Sequence, residues 1–198
     1  MADKAVSLRG EQNAMFTNRQ LVALMWPLLL EQMLAIAVGL ADSLMVATVG
    51  DAAISAVSLV DSISNLMIYV FSAMATGGAA VAGQYIGQKH KEDACNAGQQ
   101  LIALLAAVSL FFMALLYLFR PQILTTMFGH IEPDVMAATN TYYIYVMASI
   151  PGIALYNGGA ALFRTMGRSD VSLKVSLLMN GINVAGNAIL IFGVGMDV

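Results

Sequence analysis

The stretch Leu21–Gly50, LVALMWPLLLEQMLAIAVGLADSLMVATVG, decides the fold class. Its only charges are Glu31 and Asp42. A helix needs ~20 mostly apolar residues to cross the hydrocarbon core of a bilayer, and this run is longer than that. An ionisable group near the centre of such a span costs roughly 2.5–3.5 kcal/mol or more. A carboxylate retained there marks a proton or ion site, or a polar pathway between helices.

Composition extends the reading to the whole chain. Hydrophobic residues make up 59% of it and charged residues 11%, against ~25% charged in soluble domains. The chain is read as an all-α integral membrane protein. Its net charge of -3 says little, because the charges are sparse and segregated. The single Cys95 excludes a disulfide within the chain and lacks partners for a metal site. His90 and His130 sit in different polar connections, with no second ligand at helical spacing. No GxxxxGK[ST] and no GxGxxG after a strand is present. No cofactor is therefore expected, and any energy used must come from an ion gradient.

Further apolar stretches follow the first, giving five predicted transmembrane helices at about 21–49, 52–86, 95–119, 135–163 and 171–194. Several exceed ~20 residues, so tilting, kinking or protrusion is expected. Lipid admits only helices or closed barrels. Barrel strands alternate over ~10 residues, and these runs do not. The connections are short, at Gly50–Asp51, QKHKED and RSD, except for Arg120 to Asp134, where ILTTMFGH predicts a short interfacial helix. Residues 1–19 are polar and lack the pattern of a secretory signal, so the first span is expected to act as its own signal anchor. Lys4, Arg9, Arg19, Lys89, Lys91, Arg164, Arg168 and Lys174 fall on one side of the membrane, and Arg120 alone on the other. The positive-inside rule places the first side in the cytoplasm. A multi-pass protein of the plasma (cell inner) membrane follows, with a cytoplasmic N-terminus, residues 20–198 in the bilayer region and Val198 on the far face.

Several polar residues could act chemically. Asp42 is either nearly solvated at the outer interface or a titrating, cation-binding group that lines a cavity. Glu31 lies eleven residues earlier, about 20° away around the helix and ~16 Å along it, so both carboxylates share one face. It could also bond neighbouring backbone. Pro27, four residues before Glu31, removes a helix hydrogen bond and is a candidate hinge, as is Pro151. Asp61 stands among Ser58, Ser62, Ser64 and Asn65, either lining water or accepting structural hydrogen bonds. Asn180, Asn183 and Asn187 recur at i, i+3, i+7 and share a face; they either glue helices together or coordinate ions and substrates. Asn157 and Tyr156 can join that polar interior. The fourteen methionines suit a lipid-facing surface or a permissive pocket. The echo of TGGAA at Thr76–Ala80 by NGGAA at Asn157–Ala161 has small-residue helix packing as its physical content. No catalytic constellation emerges. Intramembrane carboxylates can serve proteolysis, but Asp42 and Asp61 lack the expected sequence context, and the chain is read as no enzyme.

Three stretches in order carry a resemblance: WPLLLEQMLAIAVGLADSLMVATVGDAAISAVSLVDSI, AVAGQYIGQKHKEDA, and ALYNGGAALFRTMGRSDVSLKVSLLMNGINVAGNAILIFGVG. Together, over about Asn18 to Gly195, the chain resembles the N-terminal portion of multidrug and toxic compound extrusion (MATE) transporters. The resemblance implies twelve spans in two six-helix lobes and export of amphiphilic, often cationic drugs against H+ or Na+. It implies a coupling role for Asp42, with Glu31 as a second coupling candidate, and bending at Pro27. It also matches polar family positions to Asn157 and Asn183, and Asp61, Asn180 and Asn187 would line the same cavity. Many members have Asp where this chain has Asn187, and an amide cannot take up a proton. A Na+ site built from Asp42, Asn183 and Asn187 stays open, since hard cations take oxygen ligands. The sixth helix and C-terminal lobe are expected in a full-length protein. Rival readings are a lipid-linked oligosaccharide flippase of the same superfamily, disfavoured by the lack of mid-span Lys or Arg, and a non-transporting truncated bundle or half-protein that assembles with a partner.

Overall fold

The computed structural model describes residues 18–48, 51–129 and 132–189. They form α1 (Asn18–Ala47), α2 (Asp51–Gly87), α3 (Lys91–Leu118), α4 (Arg120–Phe128), α5 (Pro133–Thr165) and α6 (Ser169–Ala188), and no strand occurs among them. Helices dominate because their backbone groups are satisfied within one segment, as lipid requires.

The core lies where α2, α3 and α5 meet. Val60, Ile63, Met67, Phe71, Ala75 and Ala79 recur every three or four residues along α2 and are buried, the spacing of one helix face. They pack against Tyr143, Met147, Ile150 and Ala154 of α5 and Leu101 and Leu105 of α3. Phe71 meets Phe112 edge to face, centroids 6.2 Å apart, an arrangement that suits the ring quadrupoles. Polar groups in this core are satisfied locally. Ser64 and Thr139 donate to carbonyls four residues back, and Ser109 to one three back. The Tyr143 hydroxyl donates to the Leu116 carbonyl at 3.0 Å, and the Tyr117 hydroxyl to that of Ile144. Helix α2 runs parallel to α5, and α3 runs antiparallel to both.

The glycine echo resolves into two contacts on α3. A Cβ at Gly78 would lie 2.4 Å from Leu101, and one at Gly158 would lie 2.5 Å from Leu105 and 3.0 Å from Ile102. Their neighbours Gly77 and Gly159 face open space. Leu101 and Leu105 are themselves buried, so neither can swing aside freely.

Two helix ends show the same reverse turn. At the end of α5, the Arg168 N–H reaches the Phe163 carbonyl (2.8 Å) and the Gly167 N–H that of Arg164 (3.0 Å), with Gly167 at φ 74. At the end of α2, the His90 N–H reaches Tyr85 and the Lys89 N–H reaches Ile86, both at 3.0 Å, with Lys89 at φ 62. Glycine usually takes that left-handed position; a lysine there costs roughly 1–2 kcal/mol.

The all-α class agrees with the sequence reading, but the count of spans needs correction. Four described helices are long and apolar enough to cross a membrane, in α1, α2, α3 and α5. Of the span predicted at 171–194, the described part is less apolar than that. That part is the 20-residue α6, whose opening holds Asp170 and Lys174 and whose later turns hold Asn180, Asn183 and Asn187. Residues 190–194 lie outside the described residues, as do His130 and most of the predicted N-terminal segment 1–19; Asn18 and Arg19 belong to α1. The helix predicted within ILTTMFGH is part of α4.

Gly158→Ala is expected to lower the melting temperature of the purified protein, at a cost of about 1–3 kcal/mol from overpacking. Gly159→Ala should leave it unchanged or raise it slightly. A thermal unfolding series on the two variants, with Gly78→Ala and Gly77→Ala as a second pair, checks this.

Candidate functional site

Helix α1 is the polar hub of an otherwise apolar surface. Among its described residues only Glu31 is buried, while Trp26, Met33, Ile36, Leu40 and Leu44 point outward. It runs parallel to α6, and both predicted carboxylates meet α6, in two tiers.

The inner tier is built on Glu31. Its Oε1 accepts from the Tyr156 hydroxyl at 2.9 Å and from Arg164 Nη2 at 3.0 Å, and its Oε2 accepts from the Ser172 hydroxyl at 3.0 Å. One carboxylate thus joins α1 to α5 and α6. Ser176, buried on α6, lies near Tyr156 and accepts from the Asn180 amide at 3.2 Å. Three donors and an opposite charge offset the cost of burying the carboxylate. The Arg164 Nε is buried with no acceptor among the described residues.

The outer tier is built on Asp42. Asn187 Nδ2 donates to Asp42 Oδ1 at 3.0 Å. With the Asn183 amide oriented by its hydrogen bonds, which is how such amides are assigned, its nitrogen donates to Asp42 Oδ1 and Oδ2 at 3.1 and 3.0 Å. Asp61 of α2 accepts from the Tyr142 hydroxyl of α5 over a long 3.4 Å. Asp42 lies near enough to act electrostatically on both Asp61 and Tyr142. No Lys, Arg or His forms an ion pair with Asp42 or Asp61 among the described residues, whereas Glu31 has Arg164.

The structure therefore splits the asparagine stripe between tiers. Asn183 and Asn187 belong with Asp42, and Asn180 belongs with Ser176 and the inner tier. Asn157 donates to the Ile153 carbonyl of its own helix and meets neither carboxylate. Pro27 and Pro151 lie inside the unbroken helices α1 and α5. At the mouth of α6, Arg168 and Lys174 both reach Asp170 (3.2 and 3.3 Å), and the Arg168 hydrogen bond holds that carboxyl below its ordinary range.

Sequence reasoning missed Arg164, Tyr142, Ser172 and Ser176. Arg164 entered only as a basic residue marking one side of the membrane. A helical-wheel match between the Glu31–Asp42 face of α1 and the Ser172–Ser176 face of α6 was the available signal for the serines.

Charged and amide side chains gathered between apolar helices define a polytopic membrane protein with a polar interior, not a passive anchor. Residues 27–189 match the MatE family model, and the chain belongs to the MatE family of membrane transporters. It is 29% identical over 191 residues to the uncharacterized transporter YisQ of Bacillus subtilis (strain 168), a match that covers 96% of this chain and 41% of that protein. Its fold superposes on MATE in complex with MaD5 (TM-score 0.84, 19% identity, 90% of this chain and 40% of that one). It also superposes on a MOP superfamily transporter from Pyrococcus furiosus (TM-score 0.82, 20% identity, 90% and 39%). The chain spans about two fifths of the length of these relatives.

Glu31→Ala should cost about 1–3 kcal/mol, because it leaves the partly buried Arg164 guanidinium without its anion and the Tyr156 and Ser172 hydroxyls without their acceptor. Glu31→Gln, which keeps an acceptor for Tyr156 or Ser172, should cost less. Melting temperatures of the two variants in one detergent check the order; equal melting temperatures for Glu31→Ala and the parent would show that the tier bears no load.

Proposed function

We propose that this chain forms part of a cation-coupled multidrug exporter in which Asp42 is the coupling group. One observation supports this above the others: Asp42 sits on a membrane helix with amides for partners and, among the described residues, no basic side chain in an ion pair with it. A carboxylate in that setting is neutralised by a mobile cation. Glu31, by contrast, already has Arg164, so in this reading it organises the lobe and Asp42 does the coupling.

The partners of Asp42 suit either ion. With H+, Asn183 and Asn187 hold the carboxylate through N–H donors. With Na+, an amide turns over and presents Oδ1 beside the carboxylate oxygens, the ligand chemistry that hard cations take. Ion arrival shifts the balance between inward- and outward-facing states by its differential affinity for them. Pro27, just below Glu31, and Pro151 are the proposed points of bending.

The charge of the outer tier bears on the substrate. One structural neighbour is described as a multidrug resistance MATE family transporter, and another as having a binding pocket of reversed polarity that suggests a different function. In this chain Asp42 and Asp61 give the tier an acidic character, which suits cationic amphiphiles. Asp61, Asn157, Asn180, Asn183 and Asn187 are the proposed cavity residues. In this reading the protein is a multi-pass plasma-membrane protein with a cytoplasmic N-terminus, and the remaining helix and second lobe lie in the longer protein.

Asp42→Asn in the full transporter should abolish gradient-driven efflux of a cationic dye from proteoliposomes while leaving its level in the membrane unchanged. Undiminished efflux would remove Asp42 from the mechanism. Imposing a Na+ or a pH gradient separately identifies the ion, and Asn183→Leu, which removes an amide partner of Asp42 in either case, should weaken efflux driven by whichever gradient couples.

A further inference from the structure

An apolar groove of about 580 Å³ opens between the ends of α2, α3 and α5, and no residue of either carboxylate tier lines it. Its volume falls within the ~300–1,000 Å³ of small-molecule sites. Ala82, Gly98, Leu162 and Met166 line its interior, and Lys89 and Lys91 are its charged lining residues. The turn between α2 and α3 sets both lysines there. Lys89 holds the left-handed position of that turn, and Lys91 opens α3. The acids that follow, Glu92 and Asp93, do not line the groove, and Asp93 faces His90 at 3.3 Å. The groove thus joins a long apolar wall to a purely positive rim, at the end of the bundle where the basic connections gather.

We propose that this groove binds an anionic phospholipid of the cytoplasmic leaflet, with its phosphate between Lys89 and Lys91 and an acyl chain along the apolar wall. Charge complementarity selects this occupant. A neutral drug or an apolar protein segment would gain nothing from the two ammonium groups, whereas basic pockets between membrane helices on the cytoplasmic side suit anionic headgroups. The glycine at position 98 keeps the wall low: a Cβ there would reach Leu162 at 3.7 Å and fill part of the groove. The inference rests on the cytoplasmic placement of the α2–α3 connection proposed above. Impermeant-reagent labelling of that connection in intact cells and in inverted vesicles tests that placement separately.

Cys95 lines the same groove and is exposed, so it reports occupancy. The full-length protein is placed in nanodiscs of phosphatidylcholine alone, or with about 30 mol% phosphatidylglycerol, and the rate of maleimide attachment to Cys95 is read by peptide mass spectrometry. Two lysines near the surface predict slowing on the order of tenfold by the anionic lipid. That protection should shrink in raised salt and vanish in Lys89→Gln/Lys91→Gln. Equal rates in both lipids, with Cys95 open or blocked, would overturn the proposal; the blocked case would point to a protein segment or any acyl chain as the occupant. Protection that survives both raised salt and loss of the lysines would overturn it equally. The salt series on the unaltered protein stands alone if the variant does not fold.

Discussion

A carboxylate drawn out of water between membrane helices must be met by donors, and Glu31 organises the lobe by that demand. Its three partners come from two other helices, Tyr156 and Arg164 on α5 and Ser172 on α6. Apolar side chains cannot choose rotations in lipid as they do in water, because lipid tails are as apolar as leucine. The polar tier therefore supplies what hydrophobic burial cannot: a unique angular setting of α1 against α5 and α6. With that setting fixed, Asp42, eleven residues along the same helix, arrives opposite Asn183 and Asn187.

The remaining helices hold together differently. Where α2, α3 and α5 meet, close approach comes from small residues and from leucines seated in the gaps they leave, at Gly78 with Leu101 and at Gly158 with Leu105. One half of the lobe is thus set by steric fit and the other by charge. The two halves meet along α5, whose one face packs on α2 and whose inner end donates Arg164 to Glu31.

Much of this was legible in the residues. Charges rare enough to stand out in apolar runs marked Glu31, Asp42 and Asp61, and a spacing of three and four placed Asn180, Asn183 and Asn187 on one face. What stayed hidden depends on rotation and neighbours. Arg164 sits in the last turn of α5, where an arginine ordinarily marks the cytoplasmic side. Tyr142 and Ser172 are unremarkable residues until the helix opposite is known. Of each glycine pair, the sequence offers no reason why Gly78 and Gly158, and not Gly77 and Gly159, should face α3. Among the described residues, the difference in span count has a similar cause. Helix α6 was read by its length and hydrophobic residues, but its acid, its lysine and its three amides lower its affinity for lipid.

That modest apolarity of α6 bears on how the protein is made. Asp and Lys are each penalised by roughly 2.5–3.5 kcal/mol at the centre of a helix leaving the translocon, and Asp170 and Lys174 escape most of that only by lying near one end. The amides further along have no such refuge. By the time α6 emerges, however, Glu31 and Asp42 are already in the membrane and awaiting donors. Its entry into lipid is then also a docking onto α1, whose two carboxylates Ser172 and Asn187 complete.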